Sequence, residues 1–234
     1  MKFSGRALIL LALMPLSCAY GGSLNYGSES SRAAGEAVSL PSPKSDGPVP
    51  LEEALRKRRS VREFRDEPLS LEAVSQLLWA AQCITAPDGF RTAPSAGGTY
   101  PLEVYAVVGK VNGLEPGVYR YVADGHRLER VREGDLRDSL AGAALDQAAI
   151  REAPVDIVIA AVYARTAARY GDRGTRYVHL EAGHAAQNLC LQGVALGLGS
   201  VVIGAFYDEP VRERLGMPSG ESPLYIVPVG RPAG

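Results

Sequence analysis

The chain has 234 residues, 25 Lys and Arg against 26 Asp and Glu for a net charge of −1, 46% apolar residues, 26 Gly, 16 Pro and three Cys. This composition excludes a collagen-like, coiled-coil, wholly disordered or disulfide-framework chain. A charge near zero supplies no global field to gather nucleic acid or an anionic membrane, so any anion site must be a local cluster of basic residues.

The first six residues carry Lys2 and Arg6 and lead into the apolar run Ala7 to Leu16. The run is too short to span a bilayer, which takes about 20 residues, and reads as an export signal over residues 1–19. Cleavage after Ala19 would use Ser17 and Ala19 as the small pair; a second reading makes Cys18 a lipidated first residue and so a membrane anchor. Residues 20–50, rich in Gly, Ser and Pro without periodicity, read as a flexible linker. The folded domain is then expected over residues 51–234, outside the cytoplasm.

Within it, Leu51, Ala54, Leu55 and Arg58 share a helical face, and Ser70 caps a second helix carrying Leu71, Val74, Leu77, Leu78 and Ala81. Strand-like text follows at Glu103–Gly109, Gly117–Ala123 and His126–Val131, suggesting a meander. The β-branched run Pro154–Tyr163 predicts a strand covered on both faces. Thr175–Leu196 is the longest helical stretch, and its Ala and Gly residues suit close packing in the core or at a subunit contact. A strand over Ser200–Phe206, a short helix near Glu209–Leu215 and a last strand Pro223–Gly230 complete the chain. Pro228 cannot donate to a ladder, so that last strand is expected at an edge or to terminate there. Hairpin-like strands followed by helices favour an α+β fold.

Three segments offer chemistry. The basic run Arg56 to Arg62, with Ser60 in it, supplies planar guanidinium forks and a hydroxyl suited to a phosphate; the same run also reads as a solvated helix end. Arg91 to Glu103 is a small-residue loop whose backbone N–H groups a flat or anionic ligand can approach. It fails as a nucleophile elbow, because Ala93 stands where that pattern needs glycine and a strand follows. Leu196 to Gly204 fails as a dinucleotide fingerprint, because a helix leads into the glycines and a strand leaves them. His179 and His184 sit about 140° apart on a helix, so no metal site is expected. No Ser/His/Asp or Cys/His set is visible, so an enzyme built this way relies on a cofactor for the hard step.

Taken together, RRSVREF, TAPSAGGTYPLEVYAVV, EAGHAAQNLCLQGVALGLGSVVIGAF and the terminal YIVPVGRP resemble the nitroreductase superfamily, and within it the SagB/ThcOx-type dehydrogenases. The resemblance implies an α+β homodimer with a nitroreductase-like mixed sheet flanked by helices, and FMN at the subunit interface. It implies an oxidoreductase moving hydride between a donor such as NADH or NADPH and a small-molecule or peptide substrate, with no nucleic-acid partner. By position, Arg58, Arg59, Ser60 and Arg62 match the block holding the FMN phosphate and ribityl chain, and Arg231 matches the residue completing the clamp. Pro94, Ser95, Ala96 and Gly97 match the loop laid on the partner's flavin, and Val202, Ile203 and Gly204 the segment bordering the ring. Arg169 and Tyr170 fall where azoline-oxidising relatives carry a catalytic Lys-Tyr pair; a guanidinium stays charged and cannot serve as a base. The alternative is a non-enzymatic binding or scaffold protein that keeps the dimer.

Overall fold

The computed structural model describes residues 37–234; the expected export segment, Cys18 and residues 20–36 of the expected linker lie outside the described residues. The strands are β1 (Ala37–Ser39), β2 (Leu69–Ser70), β3 (Leu102–Val108), β4 (Val111–Asn112), β5 (Gly117–Val122), β6 (Arg127–Glu133), β7 (Val155–Ala161), β8 (Gly199–Ser200) and β9 (Ser222–Gly230). The α-helices are α1 (Leu51–Lys57), α2 (Leu71–Gln82), α3 (Arg137–Ala143), α4 (Ala148–Glu152), α5 (Tyr163–Tyr170), α6 (Gly174–Ala195) and α7 (Asp208–Leu215).

Local chemistry explains the best-formed elements. In α1, Glu52 and Glu53 occupy the first turn and Arg56 and Lys57 the last, each complementing the helix dipole. In α2, the Ser70 hydroxyl accepts from the Ala73 N–H at 3.2 Å, as the cap position predicts. The helix α7 ends on Gly216 in the left-handed region, φ 69°.

Seven strands form one sheet in the order β1-β6-β5-β3-β7-β9-β8, and every ladder in it is antiparallel. Among the described residues, parallel pairing is confined to the small β2-β4 sheet and a single bridge between Ser60 and Ser200. All residues of β3 and β7 are buried, because both faces of the sheet are covered. Alternate side chains divide between two cores: Val104, Ala106 and Ile157 pack with Leu77 and Leu189 of α2 and α6. Tyr105, Val107 and Val158 pack with Leu140, Ile150, Val211 and Leu215 of α3, α4 and α7. The α+β architecture and the meander β3-β5-β6 follow the expectation.

Three expectations change. Residues 37–44 are not a free linker: β1 pairs with β6, Leu40 is buried and its N–H donates to His126 O, and Ser75 donates to Pro41 O at 2.6 Å. Val38 and Leu40 give this piece an apolar alternation that the surrounding Gly, Ser and Pro hide, and it covers an otherwise bare sheet edge. The strand expected over Ser200–Phe206 shrinks to β8 and one Ile203–Ile226 bridge. Finally, β9 lies between β7 and β8 and runs through Pro228 to Gly230, so it is neither an edge strand nor ended by the proline. The Ile226 N–H points to Ile203, so by the two-residue period the missing donor of Pro228 faces the gap between β8 and that bridge.

No helix among the described residues is long and apolar enough to cross a membrane.

Candidate active site

The basic run leaves α1 as an extended segment that threads between β8 and the chain's C-terminal residues. Val61 N–H donates to Ser200 O at 2.9 Å, Arg65 N–H to Arg231 O at 2.9 Å, and Ala233 N–H to Glu63 O at 3.1 Å. Two close approaches make this possible. A Cβ on Gly199 would stand 2.7 Å from Val61 Cβ, and one on Gly230 would stand 2.9 Å from the Phe64 ring. The segment that carries Arg58, Arg59, Ser60 and Arg62 is thereby tied to Ser200 at residues 60 and 61 and to Arg231 and Ala233 at residues 65 and 63, joining opposite ends of the domain.

Their side chains differ in what they already hold. Arg59 is turned back, its guanidinium donating to the carbonyls of Arg56 and Arg58 at 3.0 and 2.7 Å. Arg231 pairs through Nε with Glu67 at 3.2 Å. Arg58 and Arg62 have no ion-pair partner among the described residues. Beneath them the Ser200 hydroxyl donates to Cys190 Sγ at 3.4 Å; burial pushes the Cys190 thiol up, and the Ser200 hydrogen bond and Arg58 charge oppose this. Cys83 and Cys190 are both free and buried.

The segment Val202, Ile203 and Gly204 continues from β8. Ile203 is buried and exchanges both backbone hydrogen bonds with Ile226 at 2.9 Å, while Val202 and Gly204 face outward. A cavity of about 670 Å³ opens beside Ile203, bounded by Arg62, Phe64, Gln147, Ala149 and Glu152. Pockets for cofactor-sized ligands run to about 300–1,000 Å³. Gln147 is a lining residue that the sequence reading missed. Its amide donates to Ala144 O and Ala205 O, both at 2.9 Å, and it follows Leu145 and Asp146, which hold φ of 59° and 55°. Two consecutive non-glycine residues in the left-handed region mark a constrained turn, which no hydrophobic period reveals.

Pro94, Ser95, Ala96 and Gly97 form a second group, whose hydrogen bonds run to α5 and to the loop's own backbone. Gly97 and Gly98 take φ of 61° and 65°. Ser95 Oγ accepts from Tyr100 N–H at 2.9 Å. Burial raises the Glu181 carboxyl, with the Arg91 charge opposing, and Glu181 Oε1 has no hydrogen-bond partner among the described residues. Arg169 and Tyr170 belong to this group: Arg169 Nη1 donates to Gly97 O at 3.0 Å, and a Cβ on Gly97 would stand 2.6 Å from Tyr170 Oη. Behind the loop, Glu103 receives Arg120 at 2.9 Å and Arg165 at 2.7 Å. His179 pairs with the Tyr163 hydroxyl at 2.6 Å. Among the described residues, no three His, Cys, Asp or Glu side chains gather as metal ligands.

The nitroreductase family model matches residues 55–231. A nitroreductase-type protein of Methanocaldococcus jannaschii is 50% identical over 183 residues, covering 78% of this chain and 91% of that protein. The trifolitoxin operon protein TfxC of Rhizobium leguminosarum is 26% identical over 194 residues, covering 76% of this chain and 54% of its own. Among solved structures, a nitroreductase-type protein of Ralstonia eutropha superposes with a TM-score of 0.73 at 31% identity, covering 85% and 90% of the two chains. The Escherichia coli microcin synthetase McbBCD shares the fold at a TM-score of 0.65 and 20% identity, covering 97% and 85%. With a family model spanning most of the described domain and half the residues shared with a full-length relative, the chain belongs to the nitroreductase family of oxidoreductases.

Proposed function

We propose that the protein is an FMN-dependent oxidoreductase of the SagB/ThcOx-type branch, working as an exported homodimer. It passes electrons from NADH or NADPH to a small-molecule or peptide substrate. The observation that carries this reading is that Arg62 and Ile203 line one cavity while backbone hydrogen bonds tie the same extended segment to Ser200 on one side and to Arg231 on the other.

The residues present fit the cofactor. A dianionic phosphate is met most readily by guanidiniums that no carboxylate has claimed, as Arg58 and Arg62 are among the described residues, and Arg231, whose pair with Glu67 is half-exposed and made through Nε, would join them by turning from that carboxylate. Arg58, Ser60, Arg62 and Arg231 would hold the phosphate and ribityl chain, and the Val202–Gly204 backbone and Gln147 would border the ring. Bound there, FMN would supply hydride and single-electron chemistry. The chain's own work is then to bind, orient and exclude water, which is why its site needs no nucleophile. The Pro94–Gly97 loop lies apart from the clamp's hydrogen bonds, which supports its serving the second protomer's flavin.

The test is reconstitution. Purified protein incubated with FMN should turn yellow and bleach with a reduced nicotinamide. Arg58→Ala with Arg231→Ala should fold and lose the flavin. A wild-type protein that stays colourless sinks the proposal, and a double variant that keeps a full flavin complement sinks the clamp assignment.

A further inference from the structure

We infer that Arg169 and Tyr170 are positioning residues, through which α5 clamps the Gly97 loop in the shape the flavin site requires. The flavin consequence rests on the function proposed above; the clamp itself does not.

Arg165, Thr166, Arg169 and Tyr170 lie toward one side of α5, in pairs at the three- and four-residue spacings (166/169, 165/169 and 166/170) that bring helical side chains together. Each meets the loop in register. Arg165 Nη1 donates to Tyr100 O at 3.1 Å, the Thr166 and Thr99 hydroxyls are 2.9 Å apart, and Arg169 Nη1 donates to Gly97 O at 3.0 Å. The Tyr170 hydroxyl fills the place a Cβ on Gly97 would take.

What this face holds is a turn that two glycines permit and Tyr100 resists. Gly97, Gly98 and Tyr100 all have positive φ, 61°, 65° and 42°, and Tyr100 has no glycine's freedom. Tyr100 is pinned from three sides: its N–H by Ser95 Oγ, its carbonyl by Arg165, and its ring by the Arg91 guanidinium 4.6 Å from the centroid. The splint is itself braced. Gly174 lets α6 start directly under α5, where a Cβ would stand 2.8 Å from Ala167 N, and the Tyr177 ring meets Tyr170 edge-on at 4.9 Å. Arg169 thus spends a guanidinium donor on a loop carbonyl, where the resemblance would have it face substrate.

The amides of Gly98, Thr99 and Tyr100, bonded to Ser95 O, Ala96 O and Ser95 Oγ, report the loop's integrity without any cofactor. In the flavin-free protein, Arg169→Ala should speed their hydrogen exchange about tenfold, with Arg169→Lys recovering part of the protection and the melting temperature unchanged. With FMN added, the same variant should bind it about tenfold more weakly. Unchanged exchange in Arg169→Ala overturns the clamp. Unchanged exchange and FMN affinity with lost turnover would assign Arg169 to the substrate instead. If wild-type protein takes up no FMN, the flavin reading falls and the exchange result still decides the clamp.

Discussion

Ser60 and Ser200 face each other across a single parallel bridge, sealed by the Val61 N–H on the Ser200 carbonyl at 2.9 Å. That bridge lets the basic run from α1 reach the C-terminal arginine, and it exists only because residue 199 has no side chain. Gly199→Ala would drive a methyl into Val61, 2.7 Å away, with both Val61 methyls at 2.8 Å. Overpacking of this kind costs about 1–3 kcal/mol. Urea unfolding should show that loss, and a variant as stable as wild type would mean the two segments move apart without cost.

Tyr105 Oη donates to Glu221 Oε2 at 2.5 Å inside the core. Burial, and after it the charge and hydrogen bond of Glu221, push the phenol pKa well up, so it remains a donor throughout the accessible pH range. Hydrogen bonds to charged groups contribute about 1.5–3 kcal/mol. Tyr105→Phe should lower stability by that order in chemical denaturation while leaving the β3 and β7 strands intact by circular dichroism.

Asp156 is fully buried in β7, and neither carboxyl oxygen has a hydrogen-bond partner among the described residues. Burial raises its pKa well above 3.8, only partly offset by the Arg137 charge. The unfolded chain ionises near 3.8 while the folded one keeps its proton, so this group's contribution falls as pH rises from there to the folded value. Asp156→Asn should flatten that decline and raise the neutral-pH melting temperature by about 2–4 °C, the shift that 1 kcal/mol gives a domain of this size. Melting curves across pH 4 to 8 decide it; a variant that melts lower at neutral pH refutes the account.

His126 holds the strap formed by residues 37–44. The Ser75 hydroxyl donates to Pro41 O at 2.6 Å, so it must accept from His126 Nε2–H at 2.7 Å, and Nδ1 then accepts from Tyr121 Oη at 2.8 Å. Cys83 Sγ lies 3.9 Å from the same Nδ1. Burial lowers the His126 pKa below 6.5, with the neighbouring Pro41 carbonyl opposing. The folded state therefore resists the proton that the unfolded chain takes up, so this contribution is present above pH 6.5 and lost as pH falls through it. His126→Asn, which tolerates the positive φ of 44° at this position, should weaken the acid sensitivity and make residues 37–44 easier to cut by protease. Equal acid slopes in variant and wild type would remove His126 from the explanation.

Much of the architecture was legible in linear order. The Ser70 cap, the β-branched run of β7, the long α6 and the glycine-bounded meander carry their own local chemistry, and they formed within a few residues of where periodicity put them. The small helices α3 to α5 did not show. They are short, and turns such as Leu145-Asp146 bear no period. Residues 37–44 were misjudged because strand pairing of three residues depends on an edge partner far away in sequence.

For the site, the residue types were readable and their engagements were not. The amino-acid order alone determined that guanidiniums, small loops and glycines recur in the pattern of this family, since composition and spacing belong to the chain itself. Only the tertiary structure decided that Arg58 and Arg62 have no ion-pair partner among the described residues while Arg59 and Arg231 are engaged, that Gln147 joins the cavity, and that Arg169 grips Gly97. Which donor meets which acceptor is settled by backbone approaches between distant segments, and those approaches exist only after the sheet has closed.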